Sequence, residues 1–482
     1  MIEKRQFYID GAWVDALEGR DHQVIDPATE EPCAVIALGG QADTDAAVAA
    51  AKRALPGWMA TPAAERIALV EKLLEVYLER AEEMAQAMTL EMGAPIALSR
   101  ANQVGAGSFH LKNFIDAAKT FEFDKAFSEA FPDTRMIHEA VGVCALITPW
   151  NWPMNQVTLK VGAAAVAGCT MILKPSEESP LSAMLFAEMM DAAGFPKGVF
   201  NLVNGDGAGV GTQLSGHADV DMVSFTGSTR AGRAISKTAA ETLKRVHLEL
   251  GGKGANLIFA DADDKAVKRG VLHMMQNSGQ SCNAPSRMMV EAPIYDRVVE
   301  EAAAVAQSVT VGAPSEDGKH IGPVVNALQY EKIQGLIETG IKEGARLVAG
   351  GPGRPEGFNK GFYVRPTVFA DVTPDMTIAR EEIFGPVLSI MKFETEEEAV
   401  EIANDTPYGL TNYVQSADTE RRHRLARQLR SGMVEMNGKS RAPGAPFGGM
   451  KQSGNGREGG VWGIEDFTEV KAIGGWAVDA AE

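Results

Sequence analysis

From residue 141 onward, short apolar runs rich in β-branched residues alternate with longer stretches of helical character. This alternation predicts a parallel sheet with helices on both faces. Residues 141–147, 171–173, 199–203, 220–225, 245–248 and 256–259 read as strands, and 156–168, 181–193 and 231–239 as helices. The rhythm resumes after Cys282, with strands at 287–290, 363–369, 387–393, 411–415 and 434–436 and helices at 295–307, 396–403 and 419–429. Ahead of it, residues 62–91 form the clearest helix. Ile67, Val70, Leu73, Leu74, Tyr77, Leu78, Ala81, Met84 and Met88 step by threes and fours into one apolar stripe. The expected architecture is therefore α/β, with two halves meeting near the glycine pair Gly251 and Gly252. Residues 121–138 and 468–476 fit neither half. They read as exposed strands of the kind that pair with another subunit.

A chain of 482 residues can bury several cores without disulfides or metals. The net charge of −18 argues against electrostatic binding to nucleic acid or anionic membrane. Only four cysteines, Cys33, Cys144, Cys169 and Cys282, point to a reducing, cytoplasmic compartment. Residues 1–11 lack the apolar core of a signal peptide. The apolar stretch at 161–173 is too short to span a bilayer as a helix. No His-Glu-x-x-His or Cys-x-x-Cys occurs, so no metal is expected.

Five places could carry chemistry. Cys282 lies in the polar, flexible run Asn277-Ser278-Gly279-Gln280-Ser281-Cys282-Asn283, whereas the other cysteines sit in apolar or proline-adjacent contexts. A thiolate there could be a nucleophile, and any of the eight scattered histidines could meet it in space. Glu249, between Leu248 and Leu250 at a strand end, is either a general base of raised pKa or a glutamate pointing to solvent. The run Thr148-Pro149-Trp150-Asn151-Trp152-Pro153 could fix the Asn151 amide for oxyanion stabilisation, or be an aromatic-packed turn. Gly227 and Ser228 follow a strand and open a helix, which suits either a phosphate cradle or an ordinary N-cap. The run 204–209 is either a dinucleotide turn or a plain loop.

Taken together, in this order and spacing, these runs resemble the aldehyde dehydrogenase superfamily. Further motifs agree: Lys174-Pro175-Ser176-Glu177, Glu381-Glu382-Ile383-Phe384-Gly385-Pro386, Pro446-Phe447-Gly448-Gly449 and Ser453-Gly454-Asn455-Gly456-Arg457-Glu458. The resemblance implies a Rossmann-like NAD-binding domain (1–120 and 141–250), a catalytic domain (251–450) and a small β oligomerisation element (121–140 and 468–482). It implies that Cys282 attacks an aldehyde and that Asn151 and the Cys282 N–H hold the oxyanion. Hydride then passes to the nicotinamide, Glu249 activates the hydrolytic water, and Glu458 handles protons. Lys174 and Glu177 would meet the adenine ribose; Gly205, Phe225, Gly227 and Ser228 would line the adenine and pyrophosphate region. Thr148, Trp150, Glu382 and Phe384 would border the rest of the cofactor.

A carboxylate at Glu177 accepts from a ribose diol but repels a 2′-phosphate, so NAD is expected over NADP. Glu249 implies a free acid product, because members that transfer the acyl group to coenzyme A generally lack it. The pocket would include Trp152, Leu159, Ser281, Asn283 and Phe447, with Arg441 near its mouth. Gln276 stands where succinic semialdehyde enzymes usually place an arginine, which argues against that substrate. An aliphatic or aromatic aldehyde with a distal polar group is expected, turned over by a homodimer or homotetramer. Two other readings are a Cys-dependent hydrolase or acyltransferase without redox chemistry and an inactive binding protein on the same fold.

Overall fold

A computed structural model describes residues 1–476. Residues 477–482, the end of the expected oligomerisation element, lie outside the described residues. Within them, two seven-stranded sheets dominate. The first runs Arg245–Glu249, Met222–Thr226, Val143–Ile147, Thr170–Lys174, Phe200–Leu202, Gln6–Ile9 and Ala12–Asp15 in spatial order. Its first five strands are parallel, and the last two form an antiparallel hairpin on the edge. Val143–Ile147, Thr170–Lys174 and Met222–Thr226 are buried along their whole length, as inner parallel strands must be. Chain order reverses between Val143–Ile147 and Met222–Thr226, which opens a crevice at the carboxyl ends of these strands.

The second sheet runs Arg346–Ala349, Thr367–Ala370, Val387–Phe393, Arg287–Glu291, Ala255–Ile258, Thr411–Gln415 and Met433–Met436. It is parallel except at Arg346–Ala349. Gly252, Cys282 and Phe384 each lie a few residues before the amino end of one of its strands. The carboxyl ends of one sheet thus look across a cleft at the amino ends of the other. Asn151 Nδ2, after Val143–Ile147, donates across it to Gln280 O at 3.0 Å.

The strand-like run at 121–138 is a hairpin, Asp124–Ser128 with Phe131–Ala140, and Thr468–Ile473 joins it antiparallel. Phe127, Phe131 and Val470 stand exposed on these strands. Helix Gly460–Asp466, which no expected domain range covers, packs on helices Val104–Ala118 and Pro153–Ala167.

Three expectations need correction. The helix at 62–91 is two helices, Ala63–Glu79 and Ala81–Met92, broken at Arg80 (φ −105°, ψ 20°). Arg80 is turned to meet Glu83 and Glu188 at 2.7 and 2.9 Å. The stripe survives the break because Ile67, Val70, Leu73, Tyr77, Met84 and Met88 share one core, but Leu78 is 55% exposed. The strand expected from residue 363 begins at Thr367, because Pro366 has no N–H to give to a ladder.

Arg287 ties the floor of the cleft together. It is buried and donates from Nε to Lys253 O at 3.0 Å, from Nη1 to Ile402 O at 3.0 Å and from Nη2 to Ala403 O at 2.9 Å. A lysine keeps the charge but not this fork. Arg287→Lys is expected to cost about 3 kcal/mol, read as a lower urea midpoint with unchanged slope.

Candidate active site

Helix Ala266–Met275 delivers the chain to a strained turn. Asn277 (φ 51°), Ser278 (φ 57°) and Gly279 (φ 71°) are all left-handed, a run that L-residues hold only when their surroundings fix it. Asn277 Nδ2 donates to Asn151 O at 2.9 Å and Ser278 Oγ to Gly322 O at 2.7 Å. Gln280 Oε1 accepts from Val325 N–H at 3.0 Å. A Cβ on Gly279 would lie 2.1 Å from Gly385 O, so only glycine fits. Cys282 follows directly, held against drift from three sides.

The thiol opens into a cavity of about 600 Å³. All six expected pocket residues, Trp152, Leu159, Ser281, Asn283, Arg441 and Phe447, line it, and so does Glu458. Trp152 Nε1 donates to Ser281 Oγ at 2.8 Å. Arg441 Nη1 donates to Pro446 O at 2.8 Å, and its guanidinium lies 5.2 Å over the Phe447 ring. The sequence reading missed one whole wall. Phe109 and His110, on helix Val104–Ala118, face the cavity with Asn155, and His110 Nε2 is 2.8 Å from Asn155 Oδ1. His273, Gln276 and Glu435 complete a polar side.

The electrostatics run against a resting thiolate. Burial, then the carboxylates of Glu382, Glu249 and Glu458, push the Cys282 thiol far above its ordinary value. Glu249 is buried, and neither carboxylate oxygen has a hydrogen-bond partner. Burial first, and Glu458 second, hold its carboxyl well above the usual range. It does not line the cavity with Cys282; its Oε1 lies beside Gly448, 2.7 Å from where a Cβ there would stand. Glu458 is paired, with Oε1 2.6 Å from the fully buried Lys160 Nζ. The Asn151 amide, besides its bond to Gln280 O, keeps its second N–H free of any protein acceptor.

A second group of expected residues meets at the crevice of the first sheet. Lys174 Nζ donates to Pro175 O at 2.6 Å and to Gly205 O, and stands 3.6 Å from Glu177 Oε2. Thr148 N–H donates to Lys174 O at 3.1 Å. The Phe225 ring packs over Gly227, and Ser228 Oγ caps helix Thr229–Ala239 by accepting from Ala231 N–H at 3.3 Å. Thr226 Oγ1 nearby is buried without a partner. Trp150 and Phe384 meet edge to face at 5.4 Å. Glu382 Oε1 accepts from Gly252 N–H at 2.9 Å, and a Cβ on Gly251 would sit 2.3 Å from Glu382 Oε2. A free helix N-terminus, a lightly engaged carboxylate and glycines admitting close approach fit a dinucleotide. Among the described residues, no group of three or more His, Cys, Asp or Glu is placed to hold a metal ion, and no helix is long and apolar enough to cross a membrane.

Comparison with known proteins agrees with this geometry. The model of the aldehyde dehydrogenase family matches residues 13–473. A 3-succinoylsemialdehyde-pyridine dehydrogenase from a Pseudomonas species is 51% identical over 478 residues, 99% of each chain. An aldehyde dehydrogenase structure from Bartonella henselae superposes with a TM-score of 0.98 at 58% identity, covering 99% of this chain and 100% of that one. A cysteine-to-alanine variant of aldehyde dehydrogenase C from Pseudomonas syringae, in complex with NAD⁺ and octanal, gives 0.96 at 48% identity, covering 99% and 98%. The NAD⁺ complex of an aldehyde dehydrogenase from Bacillus cereus gives 0.93 at 39%, covering 98% and 96%.

Because the Cys282 proton is held so tightly, alkylation by iodoacetamide in the absence of cofactor is expected to keep accelerating above pH 9. Glu382→Gln removes one opposing charge and should raise the rate at pH 8. A rate that levels off near neutrality would contradict this electrostatic account.

Proposed function

The chain belongs to the aldehyde dehydrogenase family and oxidises aldehydes with NAD, and on that premise we propose that Cys282 is the nucleophile and Glu249 the base. The carrying observation is the cavity lined by the Cys282 thiol and the buried Glu458, with the Asn151 amide bonded to Gln280 O two residues ahead of the thiol and Glu249 buried beside Gly448. Cys282 Sγ bonds to the aldehyde carbon, giving a thiohemiacetal. The charge developing on the carbonyl oxygen is taken by Asn151 Nδ2 and the Cys282 N–H. NAD⁺, when bound, supplies the hydride acceptor. The thioester left on Cys282 is then cut by water, and the product is the free acid.

Glu249 removes the Cys282 proton and later that of the water. Burial raises its proton affinity, as it raises that of the thiol. Outside the cavity wall it cannot act, so it has to swing in; with both oxygens unpartnered, the swing breaks no hydrogen bond. We assign Lys174 and Glu177 to the adenine ribose, and Gly205, Phe225, Gly227 and Ser228 to the adenine and pyrophosphate. Thr148, Trp150, Glu382 and Phe384 go to the remaining ribose and nicotinamide side. Residues 1–120 with 141–250 then form the cofactor domain and 251–450 the catalytic domain.

For the substrate, we infer an aliphatic or aromatic aldehyde with a distal polar group. Trp152, Leu159, Phe109 and Phe447 give the cavity apolar walls, and His110, Asn155, Gln276 and Asn283 give it hydrogen-bonding positions. Relatives named for a succinoylsemialdehyde-pyridine and holding octanal span that range. The exposed hairpin at 124–140 supports a homodimer or homotetramer, and the sparse cysteines support a cytoplasmic setting. A redox-free hydrolase or an idle scaffold would have no use for the cradle at Glu177 and Glu382.

Glu249→Gln should keep the amplitude of the first NADH burst from an aldehyde but slow its rate, and should slow steady turnover by about a hundredfold or more. Cys282→Ala should abolish the burst. An unchanged kcat in Glu249→Gln would remove that residue from the base role. The Glu177 carboxylate should also make kcat/KM higher with NAD⁺ than with NADP⁺; a preference for NADP⁺ would contradict its assignment.

A further inference from the structure

A row of ionisable side chains leads from the cavity to the surface, and the steps above use none of it. Glu458 lines the cavity with Cys282, and its Oε2 has no partner. Its Oε1 faces Lys160 Nζ at 2.6 Å, and Lys160 donates also to Ser224 Oγ at 3.2 Å. On another side, His247 Nε2 stands 3.8 Å from the same Oε1, and His247 Nδ1 stands 2.8 Å from Asp466 Oδ2. The His247 side chain is 3% exposed and that of Asp466 37%. One end of the row is therefore dry and the other wet.

The remaining charged groups around the pair are Arg457, whose backbone N–H donates to Asp466 Oδ2 at 3.0 Å, and Arg245, which donates to Asp466 O at 2.9 Å. Phe467 packs on the imidazole at 6.4 Å between centroids. His247 makes no aligned hydrogen bond to anything in this resting geometry. A buried imidazole set between two carboxylates, with no bond committed, is costly unless it is used.

We propose that His247 and Asp466 conduct to solvent the protons that the reaction delivers to Glu458. Oxidation of an aldehyde by NAD⁺ and water yields a carboxylate, NADH and two protons, so protons must leave the site in every cycle. Glu458 accepts one at its free oxygen. The carboxyl turns to bring this protonated oxygen to His247 Nε2, which at rest stands 3.8 Å from Oε1, and passes the proton on. The imidazolium releases its Nδ1 proton to Asp466, which loses it to water. A water-assisted transfer of the proton from Nε2 to Nδ1 then restores the starting tautomer. His247 and Asp466 act through Glu458 and touch no substrate. Lys160 steadies the Glu458 anion between transfers.

This inference rests on Cys282 being the nucleophile, and the test separates the two. In single-turnover experiments on the whole enzyme, His247→Gln should keep the NADH burst while the acyl-enzyme decays about tenfold more slowly, with an enlarged solvent deuterium isotope effect. Asp466→Asn, a change at a partly exposed side chain, should act in the same direction. Decay and isotope effect matching the unmodified enzyme in both variants would overturn the relay. If His247→Gln fails to fold, Asp466→Asn decides alone by the same two readouts. Absence of any burst in the unmodified enzyme would instead sink the assignment of Cys282, and the relay with it.

Discussion

A thiol set among three carboxylates, two of them buried, opposes its own ionisation, and much of the structure answers to that fact. Burial and the charges of Glu382, Glu249 and Glu458 all favour the protonated sulfur. Only Glu458 among the three has a cation, Lys160, in contact. At rest the nucleophile is therefore quiet, and reactivity has to be produced by moving its proton to a base. Glu249 holds protons more tightly than an ordinary carboxylate because it, too, is buried and unpaired among the described residues. The same scarcity of water that suppresses the thiolate strengthens each dipole aimed at a developing oxyanion.

Such a site tolerates little positional error, and the fold supplies rigidity from two directions. The carboxyl ends of one parallel sheet carry Asn151, Lys174, Gly227 and Glu249; the amino ends of the other carry Gly252, Cys282 and Phe384. Side-chain to backbone bonds cross between them from Asn151 to Gln280 and from Asn277 to Asn151, while Gln103 steadies Asn151 on one side and Glu382 steadies Gly252 on the other. The left-handed run at Asn277, Ser278 and Gly279 is strain that these bonds hold in place.

How much of this the sequence discloses follows from burial. Inner parallel strands are apolar on both faces and announce themselves, as at Val143–Ile147 and Thr170–Lys174. The edge hairpin Gln6–Ile9 with Ala12–Asp15 is half exposed and went unread, although Asp10 and Gly11, at φ 54° and 75°, form the two-residue turn that an Asp-Gly pair signals. The cavity wall on helix Val104–Ala118 was legible too, since Asn102, Ala106, Phe109 and Asn113 step by threes and fours along one face. By contrast, no spacing rule brings His247 to Asp466, or places the Glu249 carboxylate beside Gly448 rather than in the cavity wall. Those are tertiary facts, set by how the end of the chain folds back.

That return has a consequence for biosynthesis. Phe447 and Glu458 bridge to each other, Gly454 bridges to Glu249, and Thr468–Ile473 lies along Phe131–Ala140. A ribosome releases the cysteine loop long before it releases these closing segments. During that interval the sulfur lacks Glu382, Glu458 and the Phe447 wall, so two of the charges that hold its proton are absent. The setting that quiets this atom is thus completed only by the last segments of the chain to be made.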